Sequence, residues 1–406
     1  MIRLTTYVEA RDAYRQRGLR QALYDEGRAL MDGVIVNLHG DAHLARRRLE
    51  NRLFRRDTFE FYESAIIPEI IAGVLTGPRA VGRGDLLVLS RRTMLTLSLQ
   101  VAGIDRHETP GTGAGDAELD ELYALMDDLA RASTVAHASG DKAAIIDAGA
   151  AALAEFTERF YVPSLTRRAE AVAAVAAGHA DDSVLGRDVL TTLLRNQDRL
   201  ELPEDVVRRE IAYFPWVGSH STSNQLVHAM HHVFEWIADH PQDRDALIGD
   251  EVLRRRFVHE SMRLHPASPV SLRHIDDEVQ LRSGRVLPAG ELLAIDLEAA
   301  NRDPSVFGDD ADRFDPHRAI PDEVAPWGLS FGHGVHACLG QELAGGIADV
   351  PDAGDDIINL LGSVTVMAGV LLAAGARPDP EDPATLDTST TRRVFGRYPV
   401  LFDPVD

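Results

Sequence analysis

Apolar residues recur at three- and four-residue intervals over most of the chain, the spacing that lays one helix face against a core. The pattern predicts helical segments over 7–30, most of 58–105 and 117–175, 203–240 and 243–264. A Gly/Pro/Thr-rich loop lies around 109–115. The helix over 203–240 starts after Pro203 with Glu204 and Asp205 in its first turn, as the helix dipole favours, and stops at His240-Pro241. Pro215 should kink it or free a carbonyl. Val270-Ser271-Leu272-Arg273, Val279-Gln280-Leu281 and Leu292-Leu293-Ala294-Ile295 read as short strands, with turns at Ser283-Gly284 and Ala289-Gly290. The most apolar stretch, Ile357 to Gly375, is interrupted by Asn359, Ser363, Thr365 and glycines and reads as a buried core helix, not a membrane span. No repeat or clear linker divides residues 1–406, so one domain is expected, mainly α with minor β sheets.

Composition narrows the picture. With 45% hydrophobic and 26% charged residues, the chain can build an ordinary globular core. It has 42 Lys+Arg against 64 Asp+Glu, a net charge of 42 − 64 = −22, which argues against broad nucleic-acid binding. A single Cys excludes an intramolecular disulfide framework. No apolar run follows Met1–Tyr7, so neither a signal peptide nor a membrane is expected, and a cytoplasmic protein is. Against the overall charge, Arg46, Arg47, Arg48, Arg52, Arg55 and Arg56 concentrate in one short segment.

That single cysteine, Cys338, lies in Phe331-Gly332-His333-Gly334-Val335-His336-Ala337-Cys338-Leu339-Gly340, ahead of a helical pattern. A lone Cys in a Gly turn is commonly a small buried residue. Before a helix N-terminus it is also a place where a thiolate is stabilised. The spacing F-x-x-G-x-x-x-C-x-G is more specific, and with it the sequence resembles the cytochromes P-450, the haem-thiolate enzymes. Three other features resemble the family in its usual order. Glu260-Ser261-Met262-Arg263, followed by His265-Pro266, is similar to its E-x-x-R helix. Phe314-Asp315-Pro316-His317-Arg318 resembles the segment whose Arg completes that triad. His43 and Arg47 resemble its H-x-x-x-R pair.

The resemblance implies the P-450 fold, with haem b between the long central helix and the Cys loop. It implies Cys338 as the axial thiolate, and His43, Arg47, Arg273 and His336 as partners of the haem propionates. Gly218, Phe331, Gly332 and Gly340 would border the haem. Glu260, Arg263 and Arg318 would form a structural network. Val217, Val270, Ser271 and Leu272 would line the substrate pocket. The expected partners are a small-molecule substrate, ferredoxin and ferredoxin reductase, the ferredoxin docking on the basic segment; a homo-oligomer is compatible. A solvated helix face is the plain alternative for those arginines.

The sequence also departs from the family. Where monooxygenases usually carry A-G-x-[Asp/Glu]-Thr, this chain has Val217-Gly218-Ser219-His220-Ser221-Thr222. His220 stands in place of the acid, with Ser221 or Thr222 as the alcohol. A His can relay protons near neutral pH, so monooxygenation of a biosynthetic substrate remains the leading expectation. A peroxygenase, or a non-oxygenating haem isomerase or dehydratase, is the alternative, and a non-catalytic haem- or zinc-binding protein a remote one. His220, Asn224, His228 and His232 recur on one helical face beside His231; with no third zinc ligand at recognisable spacing, exposed surface histidines are expected. Relative to the family the N-terminus lacks a helix and two strands, which should leave a sheet edge less covered. Gly345-Gly346 and a segment around 345–356 interrupt the helix after the cysteine.

Overall fold

The computed structural model describes residues 1–109, 112–200, 202–347 and 360–403. Its spine is the helix Glu204–Asp239, 36 residues continuous through Pro215. It packs along Leu86–Ala102 and, further on, against Glu251–Leu264 and Ser363–Ala373. Two buried apolar clusters flank it. One gathers Leu95, Leu122, Phe156 and Ile211; the other gathers Ile67, Leu97, Val233 and Met367. Ser363–Ala373 is buried along most of its length, as its apolar run suggested. Arg56–Val81 is long and apolar enough to cross a membrane by length and composition, and 17% of its most apolar window is buried. Its buried Ile67, Ile71 and Leu75 form one stripe at four-residue spacing, on the side that meets Leu86–Ala102.

A four-stranded sheet is ordered Ile2–Leu4, Leu292–Asp296, Val270–Ile275, Leu19–Gln21. The first pair is parallel, with Arg3 opposite Ala294; the other two are antiparallel, with Leu272 opposite Ala294 and Gln21 opposite Arg273. The helical pattern over 7–30 is therefore realised only at Tyr7–Ala13 and Arg28–Met31, with an edge strand between them. Local periodicity loses there because pairing with Val270–Ile275 satisfies the backbone and buries Leu19 and Gln21 together. The residues at the N-terminus thus supply two strands of this sheet and form its two edges. The loops at Ser283-Gly284 and Ala289-Gly290 are as expected, closing short strand connections.

The helix after the cysteine spans only Gln341–Gly345. Gly346 ends it at φ 75°, where an added Cβ would lie 2.5 Å from Leu360 O, so the expected interruption is built on a close backbone crossing. The expected inserted loop falls mostly on 348–359, outside the described residues.

The helix face expected to carry exposed histidines is largely inside. His228 is 5% exposed, its ring stacks on His265 at 4.1 Å between centroids, and His232 Nε2 lies 3.0 Å from His265 Nε2. Phe314 covers the other side of His232 at 4.3 Å. The correction follows from tertiary packing: the C-terminal part of the central helix is roofed by residues 265 and 395–398, which the helical period alone does not reveal.

Candidate active site

The Cys loop is a tight turn. Cys338 N donates to Phe331 O at 2.9 Å, and a single helical turn, Gly334–His336, fills the space between. Gly334 has φ 71°, and a Cβ there would lie 2.7 Å from Tyr14 O, so the loop needs glycine to pack on the N-terminal helix. The Cys338 side chain is exposed, and the space it opens onto is a cavity walled by protein. Burial pushes its thiol up, while the Gly340 N–H and the Arg47 guanidinium pull it back down. Those two groups are what a thiolate at this sulfur would use.

The cavity measures about 330 Å³. Gly218, Ser221 and Thr222 of the central helix form one wall, and Phe331, Gly332, His336, Cys338 and Gly340 another. One end is cationic. Arg47 Nη2 donates to Ala337 O at 2.7 Å and so ties the helix Gly40–Glu50 to the Cys loop. Arg273 is 5% exposed, bonds Gln21 Oε1 and Leu272 O, and lies 5.4 Å from the Tyr14 ring centre. The rings of His43 and His336 lie 4.0 Å apart. Burial, then Arg47, pushes His43 down to about 4; burial, then His43 and Arg273, pushes His336 down to about 3. Both are neutral donor–acceptors at pH near 7.

Among the described residues no Asp or Glu lines this cavity, and Arg273 has no carboxylate partner. A buried guanidinium without an acid is costly unless an anion reaches it. Two cations, two histidines, a thiol open to the cavity and a glycine on the facing helix fit haem b, whose two propionates are anionic and whose iron takes a thiolate. Cys338, Arg47, Arg273, His43 and His336 are the residues able to hold it.

Behind the Cys loop, Arg263 Nε and Nη2 donate to the two Glu260 oxygens at 2.7 Å each, and Arg318 Nε donates to Oε1 at 3.2 Å. Arg263 also donates to Asn301 O and Ala311 O. The expected network is therefore formed, and it braces the 301–318 segment.

Two expectations need correction. His220 does not face the Cys338 cavity. Its Nδ1 lies 3.0 Å from Trp216 O, its Nε2 lies 3.3 Å from Asp127 Oδ1, and its ring stacks on Tyr123. Helical phase explains this: Gly218, Thr222 and Gln225 share one face, His220 and Asn224 the next, and Val217 and Ser221, one turn apart, lie on the boundary and line both cavities. Val270 and Leu272 do not line the cavity either. Burial alternates along Val270–Ile275, so Ser271 and Arg273 turn toward the cavity and their neighbours turn away. Val217 does line it, as do Tyr14, Gln21, Tyr24 and Ser268, which no motif pointed to.

A second cavity of about 590 Å³ holds His220 and Asp127. It shares Leu23, Tyr24, Val217, Ser221, Ala267 and Ser268 with the first, so the two chambers adjoin.

Residues 186–346 match the family Cytochrome P450. PikC, a cytochrome P450 monooxygenase of Streptomyces venezuelae, is 30% identical over 48% of this chain and 46% of its own length. Cyclooctat-9-en-7-ol 5-monooxygenase of Streptomyces melanosporofaciens is 31% identical over 39% of this chain and 38% of its own. The matched region thus spans less than half the length of either relative. In structure the likeness extends further. CalO2 aligns over 99% of this chain and 90% of its own with a TM-score of 0.71 at 20% identity. P450BioI, solved in complex with hexadec-9Z-enoic acid ligated acyl carrier protein, aligns over 98% and 91% with a TM-score of 0.73 at 16% identity. The fold is therefore that of the cytochrome P450 structures over nearly the whole chain. The family's sequence match over 186–346 thus lies within a chain that has the cytochrome P450 fold.

Proposed function

We propose that this chain is a haem-thiolate monooxygenase, inserting one oxygen atom of O2 into a small organic substrate of biosynthesis in the cytoplasm. Electrons come from a separate ferredoxin and its reductase. One observation carries the reading: the chain's only thiol faces Gly218 and Thr222 across a cavity whose cationic end has no acid among the described residues. Bound haem b supplies the iron at which O2 is activated, with a thiolate donating electron density to it.

The chain's own groups then have defined work. Arg47, Arg273, His43 and His336 hold the propionates. The Gly340 N–H tempers the sulfur's negative charge. Gly218 lets the central helix pack closely on Leu86–Ala102 beside the cavity, since a Cβ there would stand 2.6 Å from Ser98 Oγ. Ser221 lines both chambers and its Oγ donates to Val217 O at 2.7 Å. It is placed to pass a proton from the chamber of His220 and Asp127 to that of Cys338, with Thr222 as the second hydroxyl.

A peroxygenase or a non-oxygenating haem enzyme is the second reading, favoured by the absence of any carboxylate from the described wall of the Cys338 cavity. Turnover with NADPH, O2 and ferredoxin, in proportion to product, selects the first; turnover with hydrogen peroxide alone selects the second. The axial thiolate is tested by the reduced carbonyl complex. A thiolate-type absorption band, lost in Cys338→Ala, is expected. An imidazole-type band, or purification without haem, overturns the proposal.

A further inference from the structure

The second chamber is polar in a way that points to its ligand. It lies between the central helix, the helix Gly113–Ser133 and the C-terminal segment 387–396. Arg392 enters it from that segment. Its backbone N donates to Thr390 Oγ1. Its guanidinium makes no hydrogen bond or ion pair among the described residues, and its Nε is buried without a partner. Burial holds the Arg392 pKa below its ordinary value, and Tyr24 is the group that offsets it. A second orphan is on the same wall: His137 Nε2 is likewise buried and unpartnered. The two segments are joined, since Ala138 bridges Thr390 through the backbone and Thr391 Oγ1 donates to His137 O.

The acids of the chamber are already engaged. Asp120 receives two bonds from Arg92, Asp127 pairs with His220, and Asp387 accepts from the N–H and hydroxyl of Ser389. Arg91 lies over the Tyr123 ring at 4.7 Å, and Arg131 adds a further cation to the lining. Burial, then the Arg392 charge, pushes His137 down to about 4, so it stays neutral beside that cation. A desolvated guanidinium next to a neutral imidazole, with no acid of their own, is a stable arrangement when an anion completes it.

We infer that this chamber binds the carboxylate of an anionic substrate, through Arg392 with His137 beside it. An Arg fork matches a carboxylate with two parallel N–H donors. The substrate's apolar remainder then runs past Val217 and Ser221, the shared wall, into the Cys338 cavity. Oxidation accordingly falls at a position remote from the carboxylate. That oxidation rests on the proposed function; capture of the carboxylate stands without it.

The test uses the purified holoprotein and a shape-matched pair, 4-phenylbutyrate and its primary amide, titrated by calorimetry at about pH 7.5, where the acid is ionised. The acid is expected to bind about tenfold or more tighter than the amide, a difference of about 1.4 kcal/mol. Arg392→Gln is expected to abolish that preference, and Arg392→Lys to keep part of it. Equal affinities in the wild type, absence of acid binding, or a preference that survives Arg392→Gln overturns the inference. The wild-type comparison decides the matter even where a variant fails to fold. The carbonyl spectrum of the same samples separates the two claims: acid preference without a thiolate-type band leaves the binding inference standing and removes the proposed function.

Discussion

Glu260 shows how much one residue can carry and how early it can be seen. Its spacing to Arg263 is visible in the sequence, but two exposed charges three residues apart would be worth little. In the folded chain Arg263 has no exposed surface, and Glu260 also accepts from Arg318 Nε and Asp315 N. Glu260→Ala leaves two guanidinium groups without their shared acid, one of them fully buried, and is expected to lower unfolding free energy by about 3–5 kcal/mol. Urea unfolding followed by far-UV circular dichroism measures it, and a loss under about 1 kcal/mol would reduce the triad to a surface pair. His220 teaches the opposite lesson. Its position in the motif suggested proximity to the iron site, yet a 100° step per residue carries it to the next face, toward Asp127 and Tyr123. The same arithmetic, applied to the sequence, would have separated Gly218 and Thr222 from His220, with Val217 and Ser221 on the boundary between them. Arg392 had no signal at all, because what singles it out is the absence of a partner, a property of the fold.

At the scale of the element, the basic helix divides its charges. Gly40–Glu50 turns Arg46 inward, where it donates to Glu210 at 2.6 Å and lies 4.0 Å from Glu50. Burial and Glu210 together push the Glu50 carboxyl well above the ordinary range. Arg46 therefore belongs to the core and is removed from the expected docking surface. Arg48, Arg52, Arg55 and Arg56 remain exposed, and Arg56 lies 3.7 Å from Glu342 on the helix after Cys338. Changing these four arginines to Glu is expected to slow reduction by a ferredoxin by about tenfold or more at low salt, with the difference shrinking as salt rises. Stopped-flow reduction at two ionic strengths checks it; an unchanged rate leaves these arginines as a solvated face. The sequence showed the cluster, but which member faced inward depended on Glu210, 164 residues away.

Across the whole molecule, the inward histidines make acid sensitivity a global property. Burial pushes His228, His232 and His265 down to about 4, 3 and 2, with the neighbouring histidines adding to it. In the unfolded chain each titrates near ~6.5. Protons therefore bind the unfolded state first. The folded state is favoured above pH ~6.5, and that advantage is lost as pH falls from there toward the folded values, by up to ~1.4 kcal/mol per pH unit for each histidine. Urea midpoints are expected to drop between about pH 7.5 and 5, and to drop less when all three are Gln. A drop of equal size in that variant would assign the acid limb to other groups.

By itself the sequence determined the helical class, the long central helix, the cysteine loop and the spacing of the triad. Each of these is written in local periodicity, turn residues and short-range spacing. Tertiary structure decided that the N-terminal residues become sheet edges, that Arg46 and the histidines turn inward, and that His220 and Arg392 share a chamber beside the thiol. Those outcomes depend on pairing and burial between segments far apart in the chain, where an environment is created by packing and no local pattern records it.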